Sequence, residues 1–187
     1  MNKFIIATLL LIGFISCKNS EEKIGKLTIA KEYYKALNNS NAIRIEALLR
    51  DSLLTKESNY KQTFSIAEYK EWLQWDAIFE PTYKTLDIKE ENGVVKATIS
   101  KMDKRILFLH EEPIVTKQTI HFKNAKISSI ETTDYLNFKD TIFIKNRTKL
   151  LNWVSTKHPE LDGFIYDQTK KGAQKYIKAI NLYNKEN

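Results

Sequence analysis

His110, Asp134 and Asp76 are the residues whose types and spacing could move a proton. A carboxylate in apolar surroundings has a raised pKa and can act as a general base, and a neutral imidazole beside it can act as the acid. Whether the three meet depends on which way their strands face. The segments "KRILFLH" and "IVTKQTIHF" read as a hairpin bending at "HEEP", residues 110–113. His110 then pairs with Ile114, Phe108 with Thr116, Ile106 with Gln118 and Met102 with Phe122. Even-numbered residues form the apolar face, and His110, Thr116, Gln118, Thr132 and Asp134 are the polar side chains that share it. His110 and Asp134 flank Ile114 at ~10 Å between backbones, two strand spacings apart. Asp76 continues the buried stripe of a preceding helix. The competing reading is the commoner one for such residues: His110 solvated at a turn, Asp134 at a strand end, Asp76 a helix-end charge.

The strand faces carry a parity problem. The preceding hairpin turns at Asn92-Gly93, a strong two-residue turn signal. It sets Leu86 and Ile88 on one face with odd-numbered Val95, Ala97 and Ile99. A β-bulge near Ser100 to Asp103 is therefore expected to switch parity. Without it Asp103, Arg105 and His121 would line the interior, and several large apolar residues would be exposed.

Other chemistries are excluded by spacing. His110, Glu111 and Glu112 are adjacent, so successive strand side chains point apart and cannot chelate one ion. There is no H-E-x-x-H, C-x-x-C or G-x-x-x-x-G-K. No metal and no cofactor is expected. Trp72, Trp75 and Trp153 could stack on an apolar or aromatic ligand, although aromatics at helical spacing are more often core. Tyr69, Trp72, Phe108, Gln118, Thr132 and Trp153 are the candidate pocket residues. The net charge of +7 comes from lysines scattered among 23 acids, with no arginine cluster or zinc spacing, so no nucleic-acid partner is expected.

The single cysteine, Cys17, follows Lys3 and the apolar run "FIIATLLLIGFIS". As a helix the run spans ~20 Å, too short for a ~30 Å hydrocarbon core, and nothing later approaches 18 apolar residues. It reads as a secretory signal peptide. "FISC" resembles the bacterial lipobox, in which the cysteine is acylated and becomes the new N-terminus, with Phe14 departing from the usual leucine. Acylation leaves Cys17 unable to act as a nucleophile and gives a membrane partner through the lipid. The "KNSEE" that follows resembles the signal that carries some Gram-negative lipoproteins to the cell surface.

The remaining elements alternate in period. "LTIAKEYYKAL" places Ile29, Ala30, Tyr33, Tyr34 and Leu37 on one helical stripe. "AIRIEALLRDSLL" reads as a second helix, and residues 54–64 as a loop or short strand. Ser65 and Glu68 form a capping box that opens "IAEYKEWLQWDAIF", which Pro81 ends. A third hairpin bends at "KNAK". "NRTKLLNWVSTK" stops at His158-Pro159, and "KKGAQKYIKAINLY" carries Ala173, Tyr176, Ile177, Ile180 and Tyr183 as its stripe.

Three helices followed by a bent antiparallel sheet make an α+β arrangement with helices on one sheet face. Through "AKEYYKALNNSN", "EYKEWLQWDAIFEPTYKTLDI", "GVVKATIS" and "QTIHFKNAKISSIETTDYLNF" the chain resembles nuclear transport factor 2-like (SnoaL-like) domains. "NWVSTKHPEL" and "DQTKKGAQKYIKAINLY" resemble the C-terminal helices of bacterial lipoproteins of uncharacterised function that carry this domain. The resemblance implies a cone-shaped fold with a pocket between helices and concave sheet. The expected organisation is a signal peptide at 1–16, a tether at 17–26, the cone domain at 27–138, and a C-terminal helical extension at 139–187 packed on it. The expected function is a lipid-anchored, outer-membrane binding module for a small ligand or protein partner. The alternatives are an envelope enzyme of isomerase or dehydratase type, and a homodimeric structural module paired through the outer sheet face.

Overall fold

The computed structural model describes residues 25–187, so the signal peptide, Cys17 and "KNSEE" lie outside the described residues. Helix α1 (Lys26–Asn38) buries the stripe Ile29, Ala30, Tyr33, Tyr34 and Leu37. Helix α2 (Ala42–Leu48) is capped by the Asn41 side chain, which accepts from the Arg44 N–H. The chain then becomes extended at Leu49, so "AIRIEALLRDSLL" is half helix and half strand. Strand β1 (Leu49–Glu57) and strand β2 (Tyr60–Ser65) form a hairpin through Ser58, at φ 51°. The helical appearance of "LLRDSLL" has a physical cause. An irregularity between Leu49 and Leu54, where β1 runs beside the later strand that holds Ile127 and Ser129, breaks the strand alternation and buries Leu49 and Leu53 at helix-like spacing.

Helix α3 (Ile66–Ala77) opens on the expected capping box. The Ser65 hydroxyl accepts from the Glu68 N–H, and the Glu68 carboxylate accepts from the Ser65 N–H at 2.7 Å. Strands β3 (Thr82–Glu91) and β4 (Val94–Met102) turn at Asn92-Gly93, where both residues have positive φ. Ile88 faces Ala97, but the pairing slips between Thr85 and Asp87 and turns Leu86 outward, 50% exposed.

The expected hairpin between "KRILFLH" and "IVTKQTIHF" does not form. Residues 104–110 are helix α4 (Lys104–His110), and β5 (Ile114–Lys123) pairs with β4 instead. The Asp103 carboxylate starts α4 by accepting from the Ile106 N–H at 2.6 Å, and Glu111 ends it in the left-handed region at φ 70°. Ile106, Leu109 and His110 are buried at helical spacing, and Leu107 is left exposed. With β5 on β4, Lys101 faces Ile114, Ile99 faces Thr116 and Ala97 faces Gln118. Odd residues of β4 and even residues of β5 thus share a face directly, and helix α4 takes the place of the expected parity bulge.

Strand β6 (Lys126–Tyr135) closes the third hairpin at Asn124-Ala125, both at positive φ. The six strands run in the order β2-β1-β6-β5-β4-β3. All neighbours are antiparallel except β1 and β6, so the sheet is mixed. Helices α5 (Asp140–Lys157) and α6 (Lys170–Glu186) follow, joined by two 3-10 turns, Pro159–Leu161 and Phe164–Tyr166. The core has two parts. One lies between α1–α3 and the sheet, around Tyr33, Ile45, Leu53, Ile120 and Ile127. The other joins the end of α3 and α4 to α5 and α6, around Phe79, Leu109, Val154, Phe164 and Ala179. Trp72 packs against both. Among the described residues no helix is long and apolar enough to cross a membrane.

Gly172 is what lets α6 begin where it does. A Cβ there would sit 2.0 Å from the Asp167 carbonyl oxygen. Alanine normally favours a helix over glycine by about 1 kcal/mol, but a contact with backbone this short reverses the sign. Gly172→Ala is expected to lower stability by about 1–3 kcal/mol in a urea or thermal unfolding experiment.

Candidate functional site

The concave sheet face and the helices enclose an open, two-lobed cavity. The larger lobe is about 530 Å³, and an adjoining lobe is about 310 Å³. Ligand sites typically span ~300–1,000 Å³. Trp72, Tyr83, Lys101, Gln118 and Thr132 border both lobes. The inner lobe runs toward Tyr33, Tyr34, Phe64 and Tyr69. The outer lobe is walled by Phe143 and Arg147 of α5, Ile165 of the second 3-10 turn, and Tyr176 of α6. The C-terminal helices therefore form one side of the cavity.

Its ionisable groups are interlocked. Asp76, in the last turn of α3, is 2% exposed. Its Oδ1 accepts from Lys101 Nζ at 2.6 Å, and its Oδ2 accepts from the Tyr83 hydroxyl at 2.8 Å. Lys101 also lies 3.7 Å from Asp103, whose Oδ2 meets Arg105 at 3.3 Å. The result is a chain of two carboxylates and two cations. Aromatic faces support the cations: Lys101 lies 4.9 Å from the Tyr83 ring centroid, and Arg105 lies 4.7 Å from that of Trp75. Burial, with the Asp76 charge and hydrogen bond added, holds the Tyr83 phenol well above its ordinary pKa, so it remains a donor. Burial pushes Tyr176 up to about 12, and the positive charges of Arg105 and Arg147 pull against that rise.

The inner lobe is lined by hydrogen-bonded tyrosines. The Tyr33 and Tyr69 hydroxyls meet at 2.5 Å, and Tyr34 donates to Gln118 Oε1 at 2.7 Å. Gln118 Nε2 in turn donates to Thr116 Oγ1 at 3.2 Å. At the rim, Tyr135 donates to Glu57 Oε1 at 2.7 Å.

The proton-transfer trio of the sequence does not assemble here. His110 is fully buried at the end of α4, stacked on Phe138. Its Nδ1 bonds the Glu112 carbonyl at 2.8 Å, and its Nε2 accepts from the Lys139 N–H at 2.9 Å. Both ring nitrogens are thus spent, Nδ1 on the loop that follows α4 and Nε2 on the start of α5, and the pattern assigns the proton to Nδ1. Asp134 is half exposed and pairs with Lys117 at 3.5 Å. The cause is a pairing shift in β6 that leaves Thr133 unopposed. Thr132 then faces Gln118 and Tyr135 faces Thr116, and Asp134 turns outward. Asp76 lies buried beneath the cavity, behind Lys101, without either partner proposed for it.

Of the candidate pocket residues, Tyr69, Trp72, Gln118 and Thr132 line the cavity. Phe108 and Trp153 do not: both pack edge-on against Tyr183 at 5.4 Å, on the far side of the second core. Asp103 and Arg105 are not solvated as the bulged arrangement required. Asp103 is buried, and Arg105 lines the outer lobe. His121 is half-buried opposite Ser129 on the sheet. Sequence reasoning missed Tyr83, Lys101 and Arg147. Lys101 continues the series Val95, Ala97, Ile99, and Arg147 sits on the α5 stripe of Phe143, Leu150 and Val154. A cation on an apolar stripe was the available signal in both cases. Among the described residues no group of three or more His, Cys, Asp or Glu is placed to hold a metal.

The described residues adopt the nuclear transport factor 2-like cone fold, with a C-terminal helical addition. The chain is similar to a nuclear transport factor 2-like protein of unknown function from Cytophaga hutchinsonii, with a TM-score of 0.50 and 14% identity, covering 65% of this chain and 96% of that one. It is also similar to a candidate ketosteroid isomerase from Kribbella flavida, with a TM-score of 0.51 and 12% identity, covering 61% of this chain and 79% of that one. A further Kribbella flavida protein gives a TM-score of 0.51 at 10% identity, covering 66% and 93%. At these identities the likeness is one of fold. No family model and no curated protein matches the sequence.

Proposed function

We propose that this chain is a ligand-binding module that works tethered to the bacterial envelope, with a small, partly apolar molecule held in the cone. One observation carries the binding half of this reading: the cavity is open and aromatic-walled, yet the acids and bases on its floor are committed to one another. Both Asp76 oxygens are engaged, and His110 and Asp134 are spent elsewhere. A general base needs an oxygen free to meet the substrate proton. The enzyme reading keeps one observation in its favour, the buried carboxylate of Asp76 beside a phenol and an amine. The homodimer reading is weaker, because the outer sheet face opposes Lys96 to Thr119 and Lys117 to Thr98 instead of presenting apolar residues.

The neutral probe 1-naphthylacetamide, followed by quenching of tryptophan fluorescence, tests the cone. Trp72→Ala is expected to weaken binding about tenfold, since loss of an aromatic stack costs ~0.5–1.5 kcal/mol beyond the buried area. An unchanged affinity in a folded variant would remove the ligand from the cone.

The tether half rests on Lys3, the short apolar run and "FISC", with the outer membrane as destination and "KNSEE" favouring its surface. Intact mass of membrane-extracted protein is expected to show loss of residues 1–16 and added acyl mass on Cys17. An unmodified Cys17 would overturn it.

A further inference from the structure

The cations of the outer lobe are not matched by the acids that face it. Lys101, Arg105 and Arg147 line the lobe, and Glu57 is the carboxylate among the lining residues. Asp76 and Asp103 are buried behind Lys101 and Arg105 and neutralise them from the far side. Arg105 meets Asp103 through one terminal nitrogen at 3.3 Å, which leaves most of its five donors unspent. Glu57 is exposed at the rim and bonded to Tyr135. Arg147 is half-buried, and among the described residues no carboxylate lies within 4.0 Å of it and no side-chain hydrogen bond is made by it. Its position is set by packing: Phe143 precedes it by one turn, and buried Leu150 and Val154 follow on the same stripe. Arg105, Arg147 and Tyr176 line the same lobe.

A guanidinium that lines a cavity without a protein anion has its donors available to a ligand. Guanidinium matches a carboxylate through two parallel N–H···O bonds, and such charge-assisted bonds are about twice as strong as neutral ones. Trp75, Ile106 and Leu109 line the same lobe as Arg147, and Trp72 borders both this lobe and the tyrosine-lined inner one. We infer that the ligand is an anionic amphiphile: a carboxylate head on Arg147, assisted by Arg105, with an aromatic or alkyl body running inward past Trp72. This rests on the binding reading above and adds the charge of the ligand to it.

The test compares two matched pairs on the mature protein: 1-naphthylacetate against 1-naphthylacetamide, and decanoate against decanamide. Tryptophan fluorescence gives the affinities. Each carboxylate is expected to bind at least about tenfold tighter than its amide, the effect of one charge-assisted hydrogen bond. Arg147→Gln should abolish that preference, the carboxylates losing more affinity than the amides, and Arg147→Lys should retain part of it, because charge survives and the two-pronged geometry does not. Thermal unfolding of both variants checks that they fold. Equal binding of acid and amide, or a preference that survives in Arg147→Gln, would overturn the anion inference and leave the binding module standing. Failure of all four probes to bind would overturn both.

Discussion

Replacing Phe79 with alanine is expected to cost about 3–5 kcal/mol of stability, the range for emptying a fully buried aromatic site. Phe79 has no exposed surface and lies just beyond α3. Its ring meets Trp75 edge-on at 5.0 Å and Tyr176 at 5.5 Å, and Arg105 lies 5.2 Å from its centroid. Its carbonyl accepts from the Lys104 N–H at 2.9 Å, which fixes the start of α4. One side chain therefore joins α3, α4 and α6. Urea unfolding followed by circular dichroism checks the loss, and Leu86→Ala, at an exposed bulge, should stay within about 0.5 kcal/mol of wild type. A loss below about 1 kcal/mol for Phe79→Ala would mean that α6 packs loosely and that the second core does not hold.

The same substitution reaches the cavity. Trp75 and Tyr176 wall the outer lobe, and both lean on Phe79. Probe affinity should fall together with stability, because the wall and the core are the same residues seen from opposite sides. The C-terminal helices are thus tied to the cavity as well as to folding. Without them the outer lobe loses Phe143, Arg147 and Tyr176.

Much of this was legible in the sequence where local signals are self-contained. The Ser65–Glu68 capping box and the Asn92-Gly93 turn each need only four or five residues to be recognised, and both stand where expected. The failures share a different cause. In "KRILFLH" a helical stripe through Ile106, Leu109 and His110 overlaps a strand alternation through Ile106, Phe108 and His110, so periodicity alone does not separate them. The Asp103 N-cap would have broken the tie. In β1 one irregularity and in β6 two reset the face, and a shift of one residue moves every later side chain to the other side of the sheet. That is how Asp134 came to read as inward. The cavity's cations were hidden for a third reason: what surrounds them is distant in sequence, Asp76 beside Lys101 and Tyr176 on the same wall as Arg147, and no local window contains both.

Asp76→Ala is expected to be the costliest change inside the cavity, about 3 kcal/mol, the low end of the range for breaking a buried ion pair because Lys101 keeps some access to water. It strips Lys101 of its 2.6 Å partner and leaves the Tyr83 hydroxyl, buried and protonated, without an acceptor. The Lys101→Met change leaves Asp76 buried with Tyr83 alone and should cost a similar amount. The double variant Asp76→Ala with Lys101→Met should cost clearly less than the sum of the two single losses, since removing both charges removes the desolvation that each imposes on the other. Equilibrium unfolding of the four proteins gives the coupling, and strict additivity would mean that the pair is solvated and the floor of the cavity wet. Asp76→Asn separates stability from chemistry. Its amide keeps the volume and can still accept from Tyr83. If the floor is a scaffold for binding, a folded Asp76→Asn protein keeps its affinity for 1-naphthylacetamide within about threefold, less than one hydrogen bond's worth. If Asp76 is a base, the same protein binds normally but fails to turn over whatever substrate the wild type consumes.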